Sequence, residues 1–187
     1  MSTGPDFPLH DHDSVPDGGA QALDNAQKAF GFAPNLIRVL AEAPAAANAY
    51  LAVGGQFEES SLSPVEQQVV LLTTSFENGC DYCMAAHSTV ATMVDVPDET
   101  LEALRAGHPL ADEKLEALRA FTTTAVRQRG HMDPDDLRSF LDAGYTRRNI
   151  LEVITGIAMK TLSNYSNHIA GTPVDEQFEA QRWNGRG

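Results

Sequence analysis

The stretch SPVEQQVVLLTTSFENGCDYCMAAHSTVA, residues 63–91, decides the fold of this chain of 187 residues. Its run VVLLTT would suit a β-strand if it stood alone. However, Val69, Leu72 and Phe76 recur at intervals of three and four positions, which is the period of a helix face. The spacing therefore predicts a helix before the two cysteines.

Capping signals mark both ends of this helix. The Ser63 side chain can accept a hydrogen bond at the helix N-terminus, and Glu66 three positions later completes a capping-box pattern. Asn78 and Gly79 predict the end of the helix. A second helix, carrying the cysteines, is expected to begin there and to cover about residues 80–93.

Similar signals recur along the rest of the chain, and no other segment has a convincing strand pattern. The sequence therefore predicts an all-α fold, a compact multi-helix bundle built from helical hairpins. The other predicted helices cover residues 20–30, 36–43, 44–60, 96–107, 111–130, 133–144 and about 146–170. The predicted core stripe of the last one comprises Ile150, Val153, Ile154, Ile157, Thr161, Leu162, Tyr165 and Ile169.

One domain is expected, because no linker is long enough to separate two. Residues 1–19 are rich in Pro, Gly, Asp and His and are predicted to form an extended N-terminal arm. Residues 20–187 are predicted to form a single helical domain whose core motif is the segment 63–91. Trp183 is the expected anchor of the short C-terminal tail.

The composition limits the class of partner. The net charge of −13 repels phosphate backbones and anionic lipid headgroups, which argues against nucleic-acid and membrane-surface binding. No apolar run approaches the length of a membrane span. The first thirteen residues lack the basic and apolar regions of a signal peptide, so a cytoplasmic location is expected.

The two cysteines have the spacing of a reactive dithiol. Each residue turns a helix by about 100°, so Cys80, Cys83 and His87 are expected to share one face. Unpaired N–H groups at a helix start lower the pKa of a thiol, and a histidine one turn later can donate to the sulfur or shuttle a proton. A gap of two residues also lets the sulfurs close into a disulfide.

Three other interpretations of this segment remain open: an inert buried pair, part of a zinc site, and a thioredoxin-type motif. The first is common, because cysteines often pack as inert small hydrophobic residues. A zinc site as a rule needs four ligands, and the chain has no second CxxC pair. A thioredoxin-type domain places CxxC after a strand, whereas a helix is predicted here.

The segment 63–91, with its CxxCxxxH element, resembles the core of the alkylhydroperoxidase D and carboxymuconolactone decarboxylase superfamily. The flanking segments 30–50 and 151–178 resemble the longer, peroxidase-related members. The resemblance covers most of the chain from about residue 30 to residue 178. It implies an all-helical fold, homo-oligomers such as trimers or hexamers, and thiol chemistry without a metal, haem or other cofactor.

The resemblance also implies catalytic roles for Cys80, Cys83 and His87. Cys83 would become a sulfenic acid, Cys80 would donate a proton and then form the disulfide, and His87 would belong to a proton relay. Two positions depart from the pattern: Gln68 stands where the peroxidase members have a glutamate, and Tyr82 stands where the best-studied pattern has a histidine. Gln68 is a possible relay residue, and Tyr82 either contacts substrate or packs.

The leading functional hypothesis is a thiol-dependent peroxidase or disulfide oxidoreductase. Its partners would be a peroxide or disulfide substrate and an external dithiol reductant. One alternative is a carboxymuconolactone decarboxylase-like lyase, which works by acid–base chemistry and does not need the cysteine pair. Another is a non-catalytic, redox-responsive oligomeric protein.

Overall fold

The computed structural model describes residues 6–185, and within that range the regular secondary structure is entirely helical. The predicted all-α fold is confirmed. The elements are α1 (Ala20–Phe30), α2 (Asn35–Leu40), α3 (Pro44–Glu58), α4 (Pro64–Asn78), α5 (Asp81–Met93), α6 (Asp98–Ala106), α7 (Glu113–Arg127), α8 (Pro134–Asp142), α9 (Arg147–Ala170) and a 3₁₀-helix (Glu176–Gln181).

The predicted capping box at the start of α4 is present. The Glu66 backbone N–H donates to Ser63 Oγ, and the Ser63 backbone N–H donates to the Glu66 carboxylate over 2.8 Å. At the other end, Gly79 has a φ of 67°, a left-handed conformation that glycine adopts without steric cost. The chain then turns directly into α5, with Cys80 as the residue before its first turn.

Helix α4 is the centre of the packing and contacts α5, α7 and α9. One apolar cluster joins α4 to the C-terminal half of the chain and includes Leu72, Phe121 and Phe140. A second cluster joins α1, α2 and α3 to the start of α5 and includes both cysteines. The cysteines therefore lie between the N-terminal helices and the central hairpin. Among the described residues, no helix has the length and apolar character needed to cross a membrane.

The predicted core stripe of α9 is wrong for several of its members. Ile154, Tyr165 and Ile169 are 41%, 55% and 70% exposed. Val153 of the predicted stripe is fully buried, and the rest of the inward face carries small and polar residues: Gly156, Lys160, Ser163, Asn164 and Asn167. Several of these polar side chains hydrogen-bond to α4, to α5 and to the cysteines, which offsets the cost of burying them.

The arm and the tail are both attached to the helical body. Residues 6–19 lack helix and strand, and Arg38 donates to the carbonyl oxygens of Leu9 and His10, each over 2.9 Å. The first five residues of the predicted arm lie outside the described range. In the tail, Trp183 is buried and its Nε1–H donates to the Arg105 carbonyl over 3.0 Å.

A pair of glycine substitutions tests how closely α9 packs. A Cβ at Gly156 would lie 2.8 Å from the Phe57 ring and 2.9 Å from Val70, both in the core, whereas a Cβ at Gly55 of α3 meets open space. Gly156→Ala should therefore lower the free energy of unfolding by about 1–3 kcal/mol. Gly55→Ala should raise it by about 0.5–1 kcal/mol, because alanine favours a helix. Urea unfolding measures both, and equal effects would contradict the close packing.

Candidate active site

The two cysteines occupy different places at the start of α5. Cys80 precedes the first turn, and Cys83 is the third residue within it. Both are free thiols and each is only 1% exposed. Cys83 lines a cavity of about 390 Å³, and Cys80 is not among its lining residues. A small molecule that enters the cavity therefore reaches Cys83 first.

The cavity lining is mostly apolar. Its polar lining residues are Cys83, His87, Thr89, Lys160, Tyr50 and Tyr82. Exposed Phe30 and Met93 also line it. The remaining lining residues are Ala29, Phe32, Pro34, Leu36, Ile37, Ala86, Val90, Val94 and Phe178.

A fully buried lysine of α9 lies beside the cysteine and the histidine. Lys160 is 0% exposed, its Nζ lies 2.9 Å from His87 Nε2, and it lines the same cavity as Cys83. His87 Nδ1 lies 3.2 Å from Oε1 of Gln68. Because an amide oxygen only accepts, His87 carries its hydrogen on Nδ1 and accepts from Lys160 at Nε2. Both ring nitrogens are thus engaged by Gln68 and Lys160 rather than by a sulfur.

The surroundings separate the acidities of the two thiols. Burial by itself raises the pKa of Cys83, but the hydrogen bond from Cys80 and the charge of Lys160 bring that pKa well below its ordinary value. The same hydrogen bond, together with burial, raises the pKa of Cys80. The pair therefore holds one negative charge, on Cys83, and one proton, on Cys80.

The charge on Cys83 in turn affects Lys160. Burial by itself lowers the pKa of Lys160, but the neighbouring Cys83 charge more than offsets burial, and the net shift is upward. Burial, followed by the Lys160 charge, lowers the pKa of His87 well below its usual range. The site at neutral pH consequently combines a thiolate, an ammonium and a neutral imidazole.

Two further side chains of α9 approach the sulfurs. Asn167 Nδ2 lies 3.3 Å from Cys83 Sγ and 3.8 Å from Cys80 Sγ, and Ser163 Oγ lies 3.7 Å from Cys83 Sγ. The Asn167 amide is a donor and stabilises negative charge on sulfur, whereas the Ser163 hydroxyl donates to the carbonyl oxygens of Met159 and Lys160. The Oδ1 atom of Asn167 is buried and has no partner among the described residues.

Tyr82 contributes its ring to the cavity and its hydroxyl to a structural link. The hydroxyl donates to Asp175 Oδ2 over 2.5 Å and accepts from the Leu36 N–H over 3.2 Å. Asp175 also accepts from the Asn35 N–H over 3.0 Å. This link joins α5 to the start of α2 and to the segment after α9, so it shapes the wall of the cavity.

The sequence and fold were compared with known proteins. Residues 41–124 match the carboxymuconolactone decarboxylase family. An uncharacterized peroxidase-related protein from Ralstonia eutropha JMP134, with an alkylhydroperoxidase AhpD core, superposes with a TM-score of 0.80 at 20% identity, over 92% of this chain and 93% of that one. The family match therefore covers the segment that carries the cysteines, and the chain as a whole shares the fold of this peroxidase-related protein.

Two other solved structures have the same architecture. A peroxidase-related protein from Silicibacter sp. TM1040 gives a TM-score of 0.79 at 20% identity, over 97% of this chain and 98% of that one. The debrominase Bmp8, as a cysteine-to-alanine variant in complex with 2,3,4-tribromopyrrole, also gives 0.79, at 17% identity over 97% of each chain. Identities this low establish the shared fold alone. No curated protein matches this chain in sequence.

The sequence motif located the sulfurs and missed their main polar partners. Cys83, His87 and Tyr82 line the same cavity, and Gln68 hydrogen-bonds to His87. Lys160 was missed, although a lysine at the spacing of Val153, Gly156 and Asn167 could have indicated a polar inner face. No pattern in the sequence indicated Asp175, because its hydrogen bond to Tyr82 joins residues that are 93 positions apart. Within the described residues, no group of three or more His, Cys, Asp or Glu side chains is placed to hold a metal.

Removing the Tyr82 hydroxyl tests its structural role. Tyr82→Phe leaves the buried Asp175 carboxylate without one donor and the Leu36 N–H without its acceptor. We expect the free energy of unfolding to fall by about 1–3 kcal/mol, the cost of unsatisfied buried groups. The alkylation rate of Cys83 should stay within about twofold. Tyr165→Phe, at a tyrosine that is 55% exposed, is the matched control and should change stability by less than about 0.5 kcal/mol.

Proposed function

We propose that this protein is a thiol-dependent oxidoreductase in which Cys83 attacks the substrate and Cys80 resolves the product. The observation that carries the proposal is the asymmetry of the pair. Cys83 faces the cavity and has the lowered pKa, while Cys80 lies behind it with a raised pKa. A thiolate is the nucleophile in such chemistry, and a protonated neighbour is the reserve thiol that it needs afterwards.

The reaction that fits best is peroxide reduction. Cys83 thiolate bonds to the terminal oxygen of a hydroperoxide, the O–O bond breaks, and the remaining oxygen leaves as an alcohol once it is protonated. The Cys80 sulfur then displaces the hydroxyl from the Cys83 sulfenic acid, forming a disulfide and water. An external dithiol reduces the disulfide and becomes oxidised in its place. The peroxidase-related names of two structural relatives support this direction.

Thiol titration and turnover test the proposal together. Reduced, unfolded protein should take up two equivalents of alkylating reagent, and protein pretreated with a hydroperoxide should take up none. With dihydrolipoamide present, the protein should consume hydroperoxide repeatedly, and prior alkylation should stop it. Two titratable thiols after excess peroxide would contradict the redox function. Disulfide formation without turnover would instead favour the non-catalytic, redox-responsive alternative, and turnover of a lactone that survives alkylation would favour the lyase.

A second candidate reaction uses the same thiols and is favoured by the aromatic lining of the cavity. Phe30, Phe32, Tyr82 and Phe178 surround the approach to Cys83, and a structural relative is a debrominase crystallised with a brominated pyrrole. An aryl bromide and the two thiols would give the aryl hydrogen compound, a disulfide, and bromide with a proton. Bromide release from 2,3,4-tribromopyrrole, measured with a dithiol present, tests this reaction. A bromide signal equal to that of the alkylated protein excludes it.

A homo-oligomer, such as a trimer or hexamer, is also proposed. The outer face of α9 presents Leu151, Ile154 and Ile169 to solvent, at 69%, 41% and 70% exposure. Large apolar side chains exposed along one helix face favour an interface, and a second copy of the chain is the proposed partner. Sedimentation velocity should therefore show a species larger than the 20.2 kDa chain. The cytoplasmic location stays a prediction.

A further inference from the structure

The first chemical step needs a proton for the departing oxygen, and the cavity offers few groups that can supply one. The hydroxyls of Tyr82 and Thr89 already donate within the protein. The Nδ1–H of His87 donates to Gln68, and the amide of Gln68 cannot replace a carboxylic acid. Apart from the nucleophile, Lys160 and Tyr50 are left among the described residues that line the cavity.

Lys160 is positioned for this transfer. It lines the cavity together with Cys83, its Nζ lies 2.9 Å from His87 Nε2, and it is completely buried. The oxygen that is released when the O–O bond breaks at Cys83 therefore departs into a cavity that an ammonium group lines. We propose that Lys160 is the general acid of the first step and donates its proton to the oxygen that leaves when Cys83 attacks a hydroperoxide. This inference rests on the proposed peroxidase function.

The charge balance of the site explains why the proton would move at that moment. Before attack, the Lys160 ammonium faces the Cys83 thiolate. When the sulfur bonds to oxygen its negative charge is lost, and a buried ammonium without a counter-charge is costly. Burial disfavours a charged lysine by up to about 3–5 pKa units. The attack itself thus turns Lys160 from a stable cation into a strong proton donor.

The other titratable groups that face Lys160 do not supply a negative charge in place of the Cys83 thiolate. They are Tyr50 of α3, His87 of α5, and Cys80, which precedes α5. Burial raises the pKa of Tyr50, and the pKa of Cys80 is raised as well, so both stay protonated. The products of the step are the Cys83 sulfenic acid, an alcohol and neutral Lys160. Reduction of the later disulfide by a dithiol returns one proton to Cys80 and one to Lys160, which completes the cycle.

A comparison of two oxidants separates proton donation from simple charge stabilisation. An alkyl hydroperoxide loses a basic alkoxide, which needs a proton. Peracetic acid releases a carboxylate, whose conjugate acid has a pKa of about 4, so this leaving group needs no proton. Stopped-flow rate constants should be expressed per thiolate, with the thiolate fraction taken from ultraviolet absorbance at each pH. Lys160→Met should then lower the rate constant with tert-butyl hydroperoxide by about 10²–10⁴-fold, the range for general acid catalysis. It should lower the rate constant with peracetic acid by less than about tenfold.

Two further variants sharpen the result. Lys160→Arg keeps a positive charge but does not give up a proton, so it should retain the Cys83 thiolate and still be slow with the alkyl hydroperoxide alone. Tyr50→Phe should leave the ratio of the two rate constants unchanged. Equal slowing of both oxidants by Lys160→Met, or a selective effect of Tyr50→Phe, would overturn the assignment.

A measurement on the unmodified protein guards against variants that do not fold. The rate with tert-butyl hydroperoxide should fall in deuterated solvent, and the rate with peracetic acid should not. The absence of a solvent isotope effect with the alkyl hydroperoxide would overturn the role of Lys160. An unmodified protein that reacts with neither oxidant would instead refute the peroxidase function itself.

Discussion

Cys83→Ser should abolish hydroperoxide turnover, with a loss of about 10⁴-fold or more in kcat/KM, the range observed when a catalytic nucleophile is removed. The physical reason is that Cys83 alone combines access to the cavity with a stabilised thiolate. Cys80 is buried outside the cavity lining, and burial still raises its pKa once Cys83 has been replaced. It should therefore stay a thiol when the variant is exposed to peroxide, as mass spectrometry of the intact protein would show.

Cys80→Ser is the matched control, because it removes one sulfur from the same turn and keeps a hydroxyl that can donate to Cys83. This variant should consume one equivalent of hydroperoxide and then stop, since no resolving thiol remains. The Cys83 sulfenic acid should be trapped by dimedone, and excess peroxide should oxidise it further. Sulfenic acid on Cys80 in the Cys83→Ser protein would reverse the two roles.

The alkylation rate of Cys83 should be nearly independent of pH between about 7 and about 9. An ordinary thiol, with a pKa near ~8.5, becomes roughly tenfold more reactive with each pH unit below that value. In the folded protein the pKa of Cys83 is well below the usual value, so the thiolate forms at lower pH than in the unfolded chain and its fraction should change little across this window. Its reactivity should decline only when the pH falls through the lowered pKa and protonates the sulfur.

The measurement uses Cys80→Ser, so that a single thiol reports, and follows iodoacetamide uptake by mass spectrometry. The same variant unfolded in urea is the reference and should show the ordinary pH dependence. Restricted access through the cavity slows alkylation of the folded protein at every pH. The comparison therefore uses the shape of the curve of alkylation rate against pH rather than the absolute rates. Identical profiles for folded and unfolded protein would mean that Lys160 and its neighbours do not stabilise the thiolate.

The dithiol and its local setting could be predicted from sequence because they depend on neighbours along the chain. The capping box of Ser63 and Glu66 and the turn at Gly79 are made within a few residues, and both are present as predicted. The start of α5 follows from the same turn, which places Cys83 in its first turn and His87 one turn later. Local backbone geometry and the helical period are enough to determine these features.

The placement of α9 shows where the sequence is insufficient. Its pattern predicted that Ile154, Tyr165 and Ile169 face the core, yet all three are exposed, and the inner face carries Lys160 and Asn167. Periodicity identifies an apolar stripe without saying whether that stripe meets the rest of the chain. The rotation of α9 was decided by the close approach that Gly156 allows and by the hydrogen bonds that its polar face makes to the cysteine segment.

The sequence by itself determined the helical class, the helix boundaries around the motif and the pairing of two cysteines at one helix start. The tertiary structure alone decided which sulfur faces the cavity and which groups surround it. Lys160 meets His87 across 73 positions, and Tyr82 meets Asp175 across 93. Contacts of that separation depend on how helices pack, and a residue pattern along one helix contains no information about its distant partner. The charge that stabilises the Cys83 thiolate is therefore a property of the folded protein, because it requires α9 to bring a lysine to the start of α5.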